Sequence, residues 1–189
     1  LITEIHNRNG EKLADELTHL DEQGRARMVN VGAKPISHRI CIARGEVRMA
    51  KPTLERIVEG RVAKGDVLAT ARIAGIQAAK RAGDWIPLAH PMPIDAVTVE
   101  LEPAADGRRL LIEARVEAHW RTGVEMEALV AASAAGLTVY DMCKAVDREM
   151  VVDRIRLVAK SGGKSGEFIR DDEDPVNLGS DGNSGRGQA

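Results

Sequence analysis

The chain has 189 residues, of which 43% are hydrophobic but only 2% aromatic, so it suits one domain with an aliphatic core and has few rings for stacking nucleic-acid bases. The formal net charge of −2 is uneven: residues 34–164 hold 21 Lys plus Arg against 17 Asp plus Glu, and the ends hold 6 against 12, which suits a body that takes an anionic ligand between solvated acidic ends. Cys41 and Cys143 are the only cysteines, far apart in apolar surroundings, a pattern that fits neither a secreted disulfide framework nor a cysteine metal site.

Residues 1–16 are polar and irregular and read as a flexible N-terminal extension. Residues 36–49 contain alternating runs and read as a strand, bent at Gly45. Residues 53–59 predict a short helix. Asp66 is a good N-cap for a longer helix over 67–81, with an Ala-rich face and Gly83 as its stop. Pro87, Pro91 and Pro93 keep residues 85–93 out of regular helix. Residues 96–102 and 110–118 alternate apolar with polar around the turn pair Asp106-Gly107, which predicts a hairpin. A long helix follows over 123–146, with Met126, Leu129, Val130, Leu137 and Tyr140 at helical spacing. Residues 151–159 form a last strand. From Glu167 onward the chain turns acidic and then rich in Gly, Ser and Asn, the composition of a disordered tail.

The order strand, helices, strand, strand, helix, strand is the split β-α-β arrangement of an α+β, ferredoxin-like sandwich, an antiparallel sheet with helices packed on one face. A single domain over 17–168 is expected, with residues 169–189 as tail. No apolar run approaches membrane-spanning length and no leader pattern opens the sequence, so a soluble, cytoplasmic protein is expected, with no membrane partner.

Five segments offer chemistry. The prolines around His90 hold the backbone extended and set the direction of its imidazole; a loop histidine with no task has the same sequence. No second His or Cys lies at ligand spacing, so no metal is expected there. Lys64 precedes the Asp66 cap, beside the free N–H groups of a helix entrance, where several cations together would attract phosphate and lower the lysine pKa; a solvated lysine is the plain alternative. Thr122 and Glu125 fit a capping box, and Glu127 follows in the first helical turn, where the helix dipole favours a carboxylate. Two residues apart on a helix, these glutamates do not form a dyad. Asp141 and Lys144 share a helix face three residues apart, as an ion pair or a proton-exchanging pair. The run Lys160-Ser-Gly-Gly-Lys164-Ser-Gly166 resembles part of a P-loop, but Val158 stands where that motif needs glycine and no helix pattern follows. It remains a Gly-rich segment able to close over phosphates through N–H groups and two ammonium heads, or a linker to the tail. Together the segments fit acid–base chemistry on a phosphorylated substrate.

The same segments carry a resemblance. Met28-Val-Asn-Val31, Lys64-Gly-Asp66, Ala71-Arg-Ile-Ala-Gly-Ile-Gln-Ala-Ala-Lys80, Ile86-Pro-Leu-Ala-His-Pro91, Thr122-Gly-Val-Glu-Met-Glu-Ala-Leu129, Tyr140-Asp-Met-Cys-Lys-Ala145 and Lys160-Ser-Gly-Gly-Lys-Ser-Gly166 stand in one order. In that order they resemble the cyclic pyranopterin monophosphate synthase family, molybdenum cofactor biosynthesis protein C, over residues 17–168. The resemblance implies a ferredoxin-like fold and a lyase that converts a cyclised dihydro-GTP to cyclic pyranopterin monophosphate with release of diphosphate. It also implies a homohexamer, three dimers together, with sites at subunit interfaces and no cofactor. Carried over by position, Lys64 and Lys144 are the expected catalytic proton-transfer pair, with Asp141 orienting Lys144. His90, Arg39, Lys160 and Lys164 are the expected phosphate or pterin contacts, and Glu125 or Glu127 meets the guanine-derived edge or a water. Two positions depart from the family pattern: Asn30 stands where Asp is usual and Ala89 where Cys is usual. These departures leave open a catalytically impaired homologue that acts as a ligand-binding or structural oligomer. An RNA-binding module needs exposed aromatics on its central strands, and the hairpin runs 96–102 and 110–118 contain none, so no nucleic-acid partner is expected.

Overall fold

The computed structural model describes residues 23–164, 166–173 and Leu178. The expected extension, residues 1–16, and most of the expected tail lie outside the described residues.

Strand β1 (Ser37–Arg48) leads through helices α1 (Lys51–Val58), α2 (Val67–Ala79) and the single turn α3 (Ala82–Trp85) to the hairpin β2 (Ala96–Pro103) and β3 (Arg109–Trp120); helix α4 (Glu125–Cys143), β4 (Val151–Ser161) and the two-residue β5 (Phe168–Ile169) follow. The sheet order is β2-β3-β1-β4-β5, with every pairing antiparallel. Helices α2 and α4 cover one face, and this is the ferredoxin-like sandwich that the alternation and element order predict.

The alternation in β3 explains which face is covered. Leu110, Ile112, Ala114, Val116 and Ala118 are all buried against the helices, while Leu111, Glu113, Arg115 and Glu117 point the other way. Each large aliphatic side chain buried in this way contributes roughly 1.5–3 kcal/mol. Along α4 the inner face is marked by small residues: Ala128, Ala131, Ala132 and Ala135 are buried, whereas Leu137 is 54% exposed. Small side chains let the helices approach closely. A Cβ at Gly75 would lie 2.9 Å from the carbonyl oxygen of Ala131 and 3.0 Å from Val99, so α2 meets α4 almost backbone to backbone.

Local signals decide most boundaries. Asp66 caps α2 as expected, its Oδ1 accepting from Ala69 N at 2.9 Å. The α2 pattern stops at Ala79, before the expected Arg81, and Gly83 lies inside the α3 turn, packed on Pro91. The capping box at Thr122 and Glu125 is not formed. Helix α4 starts at Glu125 with Val124 as an N-cap that makes no side-chain bond. The Glu125 carboxylate is instead taken by Lys160. Strand β5 falls in the segment whose composition reads as tail: Phe168 pairs with Lys160 and Ile169 with Ala159 at the sheet edge.

No helix of the described residues is long and apolar enough to cross a membrane.

Candidate active site

The candidate side chains gather at the two ends of α4. At its C-terminal end, Asp141 and Lys144 lie three residues apart, with Lys144 Nζ donating to Asp141 Oδ1 at 2.7 Å. The turn before α2 brings in Lys64, whose Nζ donates to Asp141 Oδ2 at 3.0 Å and to the Asp141 carbonyl oxygen at 2.7 Å. Asp141 thus stands between two ammonium groups. The bond from Lys144, then that from Lys64, pulls its carboxyl down to about 2. In turn Asp141 raises the pKa of Lys144. The sequence alone suggests cations crowding Lys64 at a helix entrance. The fold instead interposes a carboxylate and directs Lys64 towards the end of α4. The three side chains are about half exposed, and Lys144 is charged at neutral pH.

At the N-terminal end of α4 a cavity of about 480 Å³ opens between the proline-rich loop, the segment around Val29 and the first turn of α4. His90, Ala89, Glu125, Glu127 and Lys34 line it. His90 Nε2 donates to the Val29 carbonyl at 2.7 Å, which orients the ring. Glu127 is only 4% exposed. Burial, with a smaller contribution from the charge of Glu125, pushes its carboxyl up to about 7, so this group exchanges a proton near neutrality. Glu125 lies beside it but points elsewhere, to Lys160 Nζ at 3.3 Å. Both glutamates nevertheless line the same cavity, and the charge of Glu125 reaches Glu127. Cys41 lies behind them as a buried thiol pushed up to about 12, chiefly by burial, and such a thiol is inert.

The Gly-rich loop after β4 lies over Arg39. Gly162 and Gly163 have φ of +89° and +82°, and a Cβ on Gly163 would fall 1.6 Å from Arg39 Nη1. Only glycine permits that backbone conformation and that approach. Arg39 Nε is buried and has no hydrogen-bond partner among the described residues. Lys164 is exposed in the same loop.

The fold therefore joins Lys64, Asp141 and Lys144 in one cluster, and His90, Glu125, Glu127 and Lys160 in or beside the other, with Arg39 under the loop that follows Lys160. It does not join the two clusters. Glu125 and Asp141 are sixteen positions apart on one helix, a rise of about 24 Å. Lys34 is a cavity-lining cation that the sequence reading passed over; its neighbourhood shows no local pattern. Of the two departures, Asn30 spends its side chain locally, Oδ1 accepting from Gly32 N at 2.8 Å, and Ala89 places a methyl group in the cavity wall. Among the described residues no group of three or more His, Cys, Asp or Glu has the geometry to hold a metal ion.

Residues 28–163, spanning both clusters, match the MoaC family. The chain belongs to the MoaC family. MoaC relatives align over most of its length. The cyclic pyranopterin monophosphate synthase of Thermomicrobium roseum is 57% identical over 159 residues, covering 84% of this chain and 96% of the relative. That of Roseiflexus sp. is 60% identical over 156 residues, covering 82% and 99%. Cyclic pyranopterin monophosphate synthase 3 of Mycobacterium tuberculosis is 61% identical over 159 residues, covering 84% and 89%.

Proposed function

We propose that this MoaC chain is a phosphorus–oxygen lyase that converts 3',8-cyclo-7,8-dihydroguanosine 5'-triphosphate to cyclic pyranopterin monophosphate with release of diphosphate, in molybdenum cofactor biosynthesis. The observation that carries this reading is the 61% identity, over 84% of the chain, to a relative of that name. The geometry of the two clusters supports this reading. Lys64 and Lys144, ordered by Asp141, transfer protons while the purine-derived ring opens and the pterin forms. Arg39, Lys160, Lys164 and His90 hold the triphosphate and offset charge as the cyclic phosphate closes and diphosphate departs. Glu125 or Glu127 meets the amino edge of the base or a water. One catalytic domain over residues 17–168 contains all of these groups.

A rise of about 24 Å between the clusters is too long for one bound nucleotide to bridge. A complete site therefore takes the Lys64 end of one copy and the His90 end of another, which supports a homo-oligomer, a hexamer built as a trimer of dimers, working in the cytoplasm. Mixing inactive Lys64→Ala and His90→Ala proteins and allowing subunits to exchange tests this. Heterodimers then contain one intact site, and about a quarter of wild-type turnover returns. No recovery after verified exchange would place both clusters in one subunit's site and remove this reading.

The departures at Asn30 and Ala89 favour a second reading, a homologue that binds the nucleotide without turning it over. A turnover assay on the enzymatically generated cyclised substrate separates the two, since product formation excludes the second.

A further inference from the structure

The segment after the Gly-rich loop returns to the sheet and is fastened on the face opposite the helices. Strand β5 contributes little to that fastening by itself. It has two residues, Phe168 is 39% exposed and Ile169 is 51% exposed, and so short an edge pairing is marginal in water. Arg170 extends it, its N donating to Val158 O at 2.9 Å and its Nε to Leu157 O at 3.0 Å. The firm point is Glu173. Its side chain is 5% exposed and its carboxylate accepts from two strands at once, from Arg44 Nη1 of β1 at 3.2 Å and from Arg156 Nε of β4. Both arginines are themselves fixed, Arg44 Nε by Glu113 of β3 at 2.7 Å and Arg156 Nη1 by the Arg154 carbonyl at 2.7 Å. A buried carboxylate shared by two oriented guanidinium groups is a strong anchor.

We infer that Glu173 is a positioning residue for the anion-binding loop: clamped between Arg44 and Arg156, it holds β5 in place and so keeps Gly162 and Gly163 folded over Arg39 with Lys160 and Lys164 facing the triphosphate. The loop has one end in β4 and the other in β5, so its shape depends on both ends being held. Three of its residues, Gly162, Gly163 and Gly166, sit at positive φ, and its own backbone contributes a turn bond from Gly166 N to Gly163 O at 3.2 Å rather than ladder bonds. With the clamp released, the loop gains conformers and the substrate must order it again on binding, which weakens affinity without touching the proton-transfer lysines. The inference rests on the proposed role of Lys160 and Lys164 as triphosphate contacts.

The test uses the full chain with Glu173→Ala, Arg156→Ala and the double variant. Steady-state kinetics with the cyclised triphosphate should show KM raised about tenfold in each single variant, with kcat within about twofold. Amide exchange across residues 161–167 should accelerate about tenfold while exchange in α4 stays as in the parent. The double variant should be no worse than the singles, because both remove one clamp. Unchanged exchange in residues 161–167, or faster exchange with unchanged KM, would overturn the inference. A drop in kcat alone would overturn it too. Lys160→Ala and Lys164→Ala serve as the separate arm: if neither raises KM, the triphosphate assignment fails, whatever the clamp variants do to exchange.

Discussion

The two ends of α4 carry ionisable groups under opposite physical regimes. At the C-terminal end, Asp141 is well exposed, and its carboxyl is pulled down to about 2 by the ammonium groups of Lys144 and Lys64. At the N-terminal end, Glu127 is buried and its carboxyl is pushed up to about 7. One end keeps charges fixed through pairing, and the other keeps a proton mobile through desolvation. A reaction that closes a cyclic phosphate and expels diphosphate can use both kinds of group. Within one copy, α4 keeps the two kinds of group at opposite ends.

The comparison breaks most plainly at the exposed end. Lys144→Ala or Lys64→Ala should lower turnover by about 10²–10⁴-fold, the range for a lost proton-transfer group, with circular dichroism and melting temperature close to the parent, since both side chains are about half exposed. Retained turnover in either variant would remove the proton-transfer assignment. Asp141→Asn should cost less, about a hundredfold in kcat, and has a directional signature. Asp141 raises the pKa of Lys144, so its neutralisation lets that value fall, and the basic limb of the pH–rate profile should move to lower pH. A limb that stays in place would separate Lys144 from the rate.

The buried end is sharpened by Glu127→Gln, read as stability. Below the ordinary carboxyl value of 4.5 the side chain is protonated in the folded and unfolded states alike. Between 4.5 and about 7 the unfolded chain releases its proton first, so the folded state loses stability as pH rises, and above about 7 the loss is complete. The full cost is on the order of 3 kcal/mol. The amide has no such cost. Its melting temperature should match the parent near pH 4.5, exceed it progressively up to pH 7, and hold a constant advantage at pH 8. Parallel melting curves across that range would mean that Glu127 is solvated.

Local signals in the sequence determined a good part of this molecule. Strict alternation in residues 96–102 and 110–118 set the hairpin and its buried face, because a period of two allows only one side of a strand to meet the core. Asp66 set the start of α2, and the three-residue spacing of Asp141 and Lys144 set their pairing, because each contact lies within one turn of chain. Seven short motifs in one order also carry the resemblance to the family. Tertiary structure alone decided the rest. Lys64 meets Asp141 across 77 positions, and no periodicity links them. Glu125 fits a capping box, but Lys160, 35 positions away, competes for its carboxylate and wins. Glu127 reads as a first-turn carboxylate favoured by the helix dipole, and only tertiary burial removes its water and raises its pKa. Glu173 sits in a run whose composition reads as tail, yet Arg44 and Arg156 arrive from two different strands to bury it. Charge and burial at a point depend on everything folded around it, so short-range patterns specify the elements while the long-range packing specifies the chemistry.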